Sequence, residues 1–183
     1  MIHAGERLFV LTGAPGAGKT TLLDAAADGG IRVGREAARA IIQVQSAIDG
    51  PALQWRDPAR FAEVMLDRDI QTHEALAAGG ELALCDRGIP DLVAYGRMMK
   101  LTETAHFERA SQLYRYNRVA FFAPPWREIY ADDAERIEGW EHAQRMYGPL
   151  CDAYREMGYE VVELPKASTE ARLTFLLETI AHA

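Results

Sequence analysis

No stretch of the sequence is apolar over the roughly 20 residues that a membrane-spanning helix needs, and the first residues carry no leader-peptide pattern. A helical membrane protein is thereby excluded, no membrane partner is expected, and the expected location is the cytoplasm. Cysteine is scarce: Cys85 and Cys151 are the only two, with no Cys-x-x-Cys and no histidine at metal-ligand spacing. That excludes a disulfide scaffold and a zinc module, and reads as two buried, reduced thiols. Basic charge is in deficit, with 20 Lys and Arg against 27 Asp and Glu and a formal net charge of −7. Such a surface repels phosphate backbones, so no nucleic-acid partner is expected, although a local basic cleft is compatible with it. Internal repeats and low-complexity segments are absent. What remains is 183 residues, 49% hydrophobic and 26% charged, long enough for one well-packed domain over 1–183 and short for two.

Against that background one stretch stands out. Gly13-Ala14-Pro15-Gly16-Ala17-Gly18-Lys19-Thr20 satisfies the pattern G-x-x-x-x-G-K-[ST] in full. Leu8-Phe9-Val10-Leu11 before it reads as a buried parallel strand, and Thr20 to Ala27 after it as a helix stopped by Gly29-Gly30. Strand, glycine loop and helix start together surround a polyphosphate with backbone N–H groups. In this motif Lys19 reaches the β- and γ-phosphates and the Thr20 hydroxyl ligates Mg²⁺, with Thr21 next along the helix. ATP and Mg²⁺ are therefore the expected cofactors. A guanine-reading Asn/Thr-Lys-x-Asp motif is absent.

Further along, Ile31 to Gly34 reads as a weak second strand and Arg35 to Ala47 as a helix. Ala37, Ala38, Ile41, Ile42 and Val44 fall on one side of it and Glu36, Arg39 and Gln43 on the other. That polar side begins at a strand's C-terminal end, where open α/β sheets bind their ligands. It is equally what a solvated amphipathic helix looks like. Asp49-Gly50-Pro51 ends the helix, and a loop with Trp55 leads to Asp57-Pro58, an N-cap followed by proline at the first helical position. The next helix runs to about Ala78 with Phe61, Val64, Met65, Thr72 and Leu76 as its apolar stripe. Arg68 lies within that stripe and must either snorkel outward, the commoner outcome, or meet an anion.

Leu82 to Asp86 is the third strand, apolar until its terminal carboxylate, and Arg87-Gly88-Ile89-Pro90-Asp91 follows. An aspartate at that strand tip suits Mg²⁺ or its water shell. Helices are expected over Asp91 to Met99 and Glu103 to Tyr116, then a fourth strand, Arg118 to Ala123. The charged segment 126–139, which includes Arg127 and Arg136, reads as a solvated face or, after a fourth strand, as a closing lid. A helix over Glu141 to Met157 contains Pro149, where a kink or break is expected. The fifth strand, Tyr159 to Leu164, and a last helix, Thr169 to Ala181, complete an α/β pattern: a parallel sheet with helices on both faces.

Together, Gly13–Thr20, Glu36-Ala37-Ala38-Arg39, Asp86-Arg87-Gly88-Ile89-Pro90-Asp91, Arg115-Tyr116, Ala123-Pro124-Pro125-Trp126, Ile129-Tyr130, Asp133, Glu135-Arg136 and Glu163-Leu164-Pro165-Lys166 resemble a family of bacterial single-domain P-loop proteins classed as predicted ATPases, near the AAA label. The resemblance spans about Arg7 to Ile180. The chain is similar, more distantly, to nicotinamide riboside kinases and deoxynucleoside kinases. The resemblance implies a three-layer α/β/α P-loop domain with strand order 2-3-1-4-5. It implies Glu36 as the carboxylate that takes the acceptor's proton, Asp86 and Arg87 as supports of Mg²⁺ and the transferred phosphate, and Arg127 and Arg136 as lid arginines. An AAA motor would need a C-terminal helical lid domain, for which the chain has too few residues.

The expected function is an ATP- and Mg²⁺-dependent phosphotransferase acting on a small molecule, with Arg39, Gln43, Trp55, Arg68, Asp91 and Tyr95 as acceptor-side candidates. The competing reading is a nucleotide-gated switch or slow NTPase acting through a protein partner.

Overall fold

The computed structural model describes residues 3–130 and 139–183. A short strand, β1 (His3–Gly5), precedes β2 (Leu8–Gly13), α1 (Lys19–Asp28), β3 (Arg32–Gly34), α2 (Ala37–Ala47) and α3 (Pro58–Ala77). Then come β4 (Ala83–Asp86), α4 (Ile89–Met98), α5 (Ala105–Leu113), β5 (Tyr114–Tyr116), β6 (Val119–Ala123), α6 (Trp140–Glu156), β7 (Glu160–Glu163) and α7 (Thr169–Ala181). Residues 131–138, most of the expected lid and all of its Asp133, Glu135 and Arg136, lie outside the described residues.

Five parallel strands form the sheet in the order β3-β4-β2-β6-β7. Counted along the chain among these five, that is 2-3-1-4-5, which sets the Asp86 strand beside the P-loop strand. The three central strands are buried on both faces, as their unbroken apolar runs require. Side chains alternate between the two faces along each strand. Leu8, Val10, Cys85 and Phe122 join a core with Leu150 and Tyr154 of α6, while Phe9, Leu11, Leu84 and Phe121 join one with Leu22 and Leu23 of α1 and Leu176 of α7. A third cluster, Ile41, Phe61, Met65, Leu92 and Phe107, fastens α2, α3, α4 and α5 to one another.

Asp57 caps α3 as its sequence indicates, accepting from the Arg60 N–H at 2.9 Å. Two expectations are corrected. The helix expected to reach Tyr116 stops at Leu113, because Tyr114–Tyr116 pairs in parallel with His3–Gly5 as a separate two-stranded sheet. Tyrosines favour a pleated strand, and Tyr116 turns its ring into the core there. Of the kink or break expected at Pro149, there is no break: α6 runs through it from Trp140 to Glu156. The proline lies on the exposed side, while Leu150, Cys151 and Tyr154 stay buried. Burying each of the larger of these contributes about 1.5–3 kcal/mol, which together offset the roughly 3 kcal/mol cost of an interior proline.

Candidate active site

The glycine loop leaves the centre of the sheet. Gly13, Gly16 and Gly18 all have positive φ, at 122°, 72° and 76°. At Gly13 a Cβ would lie 2.3 Å from the Ala123 carbonyl oxygen, so only glycine lets the loop press against the end of β6. The neighbouring Ala14 N–H donates to that same carbonyl at 3.0 Å. Gly18 starts α1 from a left-handed conformation, and the first turn of α1, with Thr20 and Thr21 exposed, carries no acidic residue. A helix start with free N–H groups and no competing carboxylate is an anion site.

Lys19 is buried and folds back over the loop, its Nζ donating to the Ala14 carbonyl at 2.9 Å and the Gly13 carbonyl at 3.3 Å. Burial and the Arg87 charge lower its pKa to about 8, against the upward pull of Asp86, Glu36 and Asp91. An ammonium so weakly compensated gains most from an incoming polyphosphate.

Arg87 follows directly on β4 and takes a left-handed backbone, φ 69°, a conformation that costs a bulky residue on the order of 1–2 kcal/mol. Its side-chain contacts account for that. Nε donates to Glu36 Oε1 at 2.6 Å, and one terminal nitrogen donates to Asp91 Oδ1 at 3.1 Å and to the Gly13 carbonyl at 3.5 Å. Glu36 is the N-cap residue of α2. Burial pushes its carboxyl up, yet Arg87, Lys19 and Arg39 together hold it below the ordinary glutamate value, so it is ionised.

Asp91 is the buried hub beneath this pair. Oδ1 accepts from Thr12 Oγ1 at 2.6 Å and from Arg87; Oδ2 accepts from the Gly88 N–H at 3.1 Å and from Tyr154 OH at 2.5 Å. With both oxygens occupied by four donors, the carboxylate is turned inward to hold Arg87 and the P-loop strand in register.

Asp86 ends β4 opposite Leu11 of the P-loop strand. It is buried, one of its oxygens has no hydrogen-bond partner, and burial with the nearby Glu36 charge raises its pKa to about 6. Among the described residues no group of three or more His, Cys, Asp or Glu side chains is set to hold a metal. A hard cation with one protein carboxylate, a threonine hydroxyl and the ligand's own phosphates needs no such group. The unpartnered Asp86 oxygen and the exposed Thr20 hydroxyl fit Mg²⁺ on those terms.

The remaining candidates are spread wider. Arg39 is exposed in the first turn of α2, within electrostatic reach of Glu36. Tyr95 is half-buried against Phe61, with ring centres 6.2 Å apart. Gln43, Trp55 and Arg68 are exposed and take no part in the hydrogen-bond network around Arg87. Arg127 stacks over Trp140 at 5.5 Å and Tyr130 at 6.0 Å, two rings that meet edge to face.

Three residues with a place at the site were not singled out in the sequence. Thr12 precedes the motif. Arg172 lies in α7, 155 residues from the loop carbonyl it binds. Asp69 lies four residues beyond Met65 and three before Thr72, on the apolar stripe of α3. Burial, with Asp91 and Glu36 nearby, pushes its pKa to about 8. A carboxylate at core spacing was the available signal.

The profile of the AAA domain matches residues 8–172. The chain belongs to the AAA-domain family. A search of curated proteins by sequence returns no match. Solved structures of similar shape include the thymidylate kinase from Ehrlichia chaffeensis, 12% identical, TM-score 0.62, covering 97% of this chain and 99% of that one. The deoxyadenosine kinase from M. mycoides, solved with bound dATP, is 12% identical at TM-score 0.66, covering 95% and 98%. The NadR protein in complex with NR is 20% identical at TM-score 0.69; 95% of this AAA-domain chain aligns, over about half (51%) of the NadR chain. The fold of this AAA-domain protein is thus that of P-loop kinases. Among its described residues no helix is long and apolar enough to cross a membrane.

Proposed function

We propose that this protein is a kinase that moves the γ-phosphoryl group of ATP to a hydroxyl of a small, nucleoside- or riboside-like acceptor. The observation that carries this reading is the ionised Glu36 carboxylate, clamped by Arg87 and within the field of Lys19. Phosphoryl transfer asks the protein mainly for position and charge. The loop N–H groups and Lys19 take the β- and γ-phosphate oxygens. Glu36 orients the acceptor hydroxyl and receives its proton as the new O–P bond forms and the bond between the γ-phosphorus and the β-γ bridging oxygen breaks, releasing ADP. Its low pKa suits a base that acts late, when the hydroxyl has already become acidic.

Thr20 and Asp86 would hold Mg²⁺, which would supply charge neutralisation to the bound polyphosphate. We read the whole chain as one nucleotide-binding unit, with 126–139 as its cover and Arg127 and Arg136 as the cations that meet the transferring group. Arg39, Gln43, Trp55, Tyr95 and Asp69 are the acceptor-side residues, and Asp91 works through Arg87. The fold shared with a thymidylate kinase, a deoxyadenosine kinase and the NadR protein solved with NR supports an acceptor of nucleoside or riboside size.

The test is a thermal-shift screen of nucleosides, ribosides and vitamins with Mg²⁺ and a non-hydrolysable ATP analogue. An acceptor raises the melting temperature further only in the ternary mixture. If the analogue alone stabilises the protein and no acceptor adds to it, transfer is replaced by hydrolysis or switching.

A further inference from the structure

Arg172 is 3% exposed, and among the described residues it is in no ion pair. A buried guanidinium without a carboxylate is costly unless something else compensates it. A terminal nitrogen donates to the Ala17 carbonyl, in the middle of the glycine loop, at 2.9 Å, and among the described residues its Nε has no partner. The guanidinium also fits closely around the loop. A Cβ on Gly18 would lie 2.9 Å from it and 3.2 Å from Ile129 Cδ1. The guanidinium carbon also stands 5.8 Å from the centre of the Trp126 ring. Burial lowers the pKa of the group, with no charged neighbour to offset it.

We infer that Arg172 is a positioning residue that charges the glycine loop from behind, raising its affinity for polyphosphate through the Ala17–Gly18 peptide. A cation bonded to the Ala17 oxygen polarises that peptide and makes the Gly18 N–H a stronger donor. In a low-dielectric setting this field reaches an anion on the far side of the loop with little screening. Trp126 completes the arrangement by keeping water from the guanidinium. The inference rests on the loop taking a polyphosphate, as proposed above. It adds α7 and Trp126 to the machinery, and Arg172 itself touches no ligand.

The test measures binding of inorganic tripolyphosphate and of ATP, each with Mg²⁺, to wild type, Arg172→Gln and Arg172→Lys, with circular dichroism as the folding control. The glutamine retains a donor for the Ala17 carbonyl but no charge; the lysine retains the charge. Arg172→Gln is expected to weaken both probes by the same factor, roughly tenfold or more, and Arg172→Lys to recover much of it. Loss for ATP alone would mean a base contact and overturns the inference. Equal affinity of the two variants, or no change in either, overturns it as well. Should Arg172→Gln not fold, Trp126→Leu serves in its place, because it leaves the Ala17 bond and admits water. A several-fold weaker tripolyphosphate affinity supports the inference and an unchanged one overturns it. A wild type that binds neither probe would instead refute the polyphosphate site itself.

Discussion

The Arg87 guanidinium donates to Glu36 at 2.6 Å across 51 residues of chain, tying the start of α2 to the tip of β4. The same guanidinium bonds Asp91, whose other donors include Thr12 on the P-loop strand. The candidate base and the phosphate-loop strand are therefore joined by one hydrogen-bonded network through Arg87 and Asp91.

Glu36→Gln keeps the shape and the Arg87 contact but cannot take a proton. Turnover on a verified acceptor is expected to fall by roughly 10² to 10⁴, with nucleotide affinity nearly unchanged. Steady-state kinetics with a separate nucleotide titration checks this; wild-type turnover would remove Glu36 from the mechanism.

Lys19 is expected to take up a proton when nucleotide binds near and above pH 8. Its pKa, lowered to about 8 by burial and Arg87, must rise once phosphate oxygens surround it. Calorimetric titration in buffers of different ionisation enthalpy reads the uptake directly. Lys19→Met should lose both the proton uptake and turnover.

Asp86 carries a pKa of about 6, so its carboxylate is increasingly protonated below that pH. The Mg²⁺ concentration needed for half-maximal nucleotide binding should accordingly rise as pH drops from about 7 to about 5. Asp86→Asn should show the high requirement at every pH. A requirement independent of both pH and the substitution would place the cation elsewhere.

Asp69 makes a prediction about stability. Its folded pKa is about 8 and its unfolded value is near 3.8, so the native state holds more protons between those limits. Where the native state binds the extra proton, stability falls as pH rises. The unliganded protein should thus lose stability from about pH 4 to about pH 8 through this group. Asp69→Asn should flatten that slope and melt higher than wild type at pH 8.5. Melting curves across pH decide it, and identical slopes would show Asp69 to be an ordinary carboxylate.

The sequence by itself determined the glycine loop, the five strands of the main sheet and most element boundaries, because these depend on local chemistry. Gly13 to Thr20 can do little else between an apolar strand and a helix, Asp57-Pro58 can hardly avoid starting α3, and α7 is found where its period puts it, over Thr169–Ala181. The tertiary structure alone decided the rest. Tyr114–Tyr116 pairs as a strand with His3–Gly5, a partnership that no local pattern encodes. It decided that Asp91 faces inward to four donors, that Asp69 shares the field of Glu36 and Arg87, and that Arg172 reaches Ala17. Helical spacing places a residue on a face, but what that face meets depends on how the helices pack across the sheet. The charges that set the chemistry are brought together by that packing, from positions up to 155 residues apart.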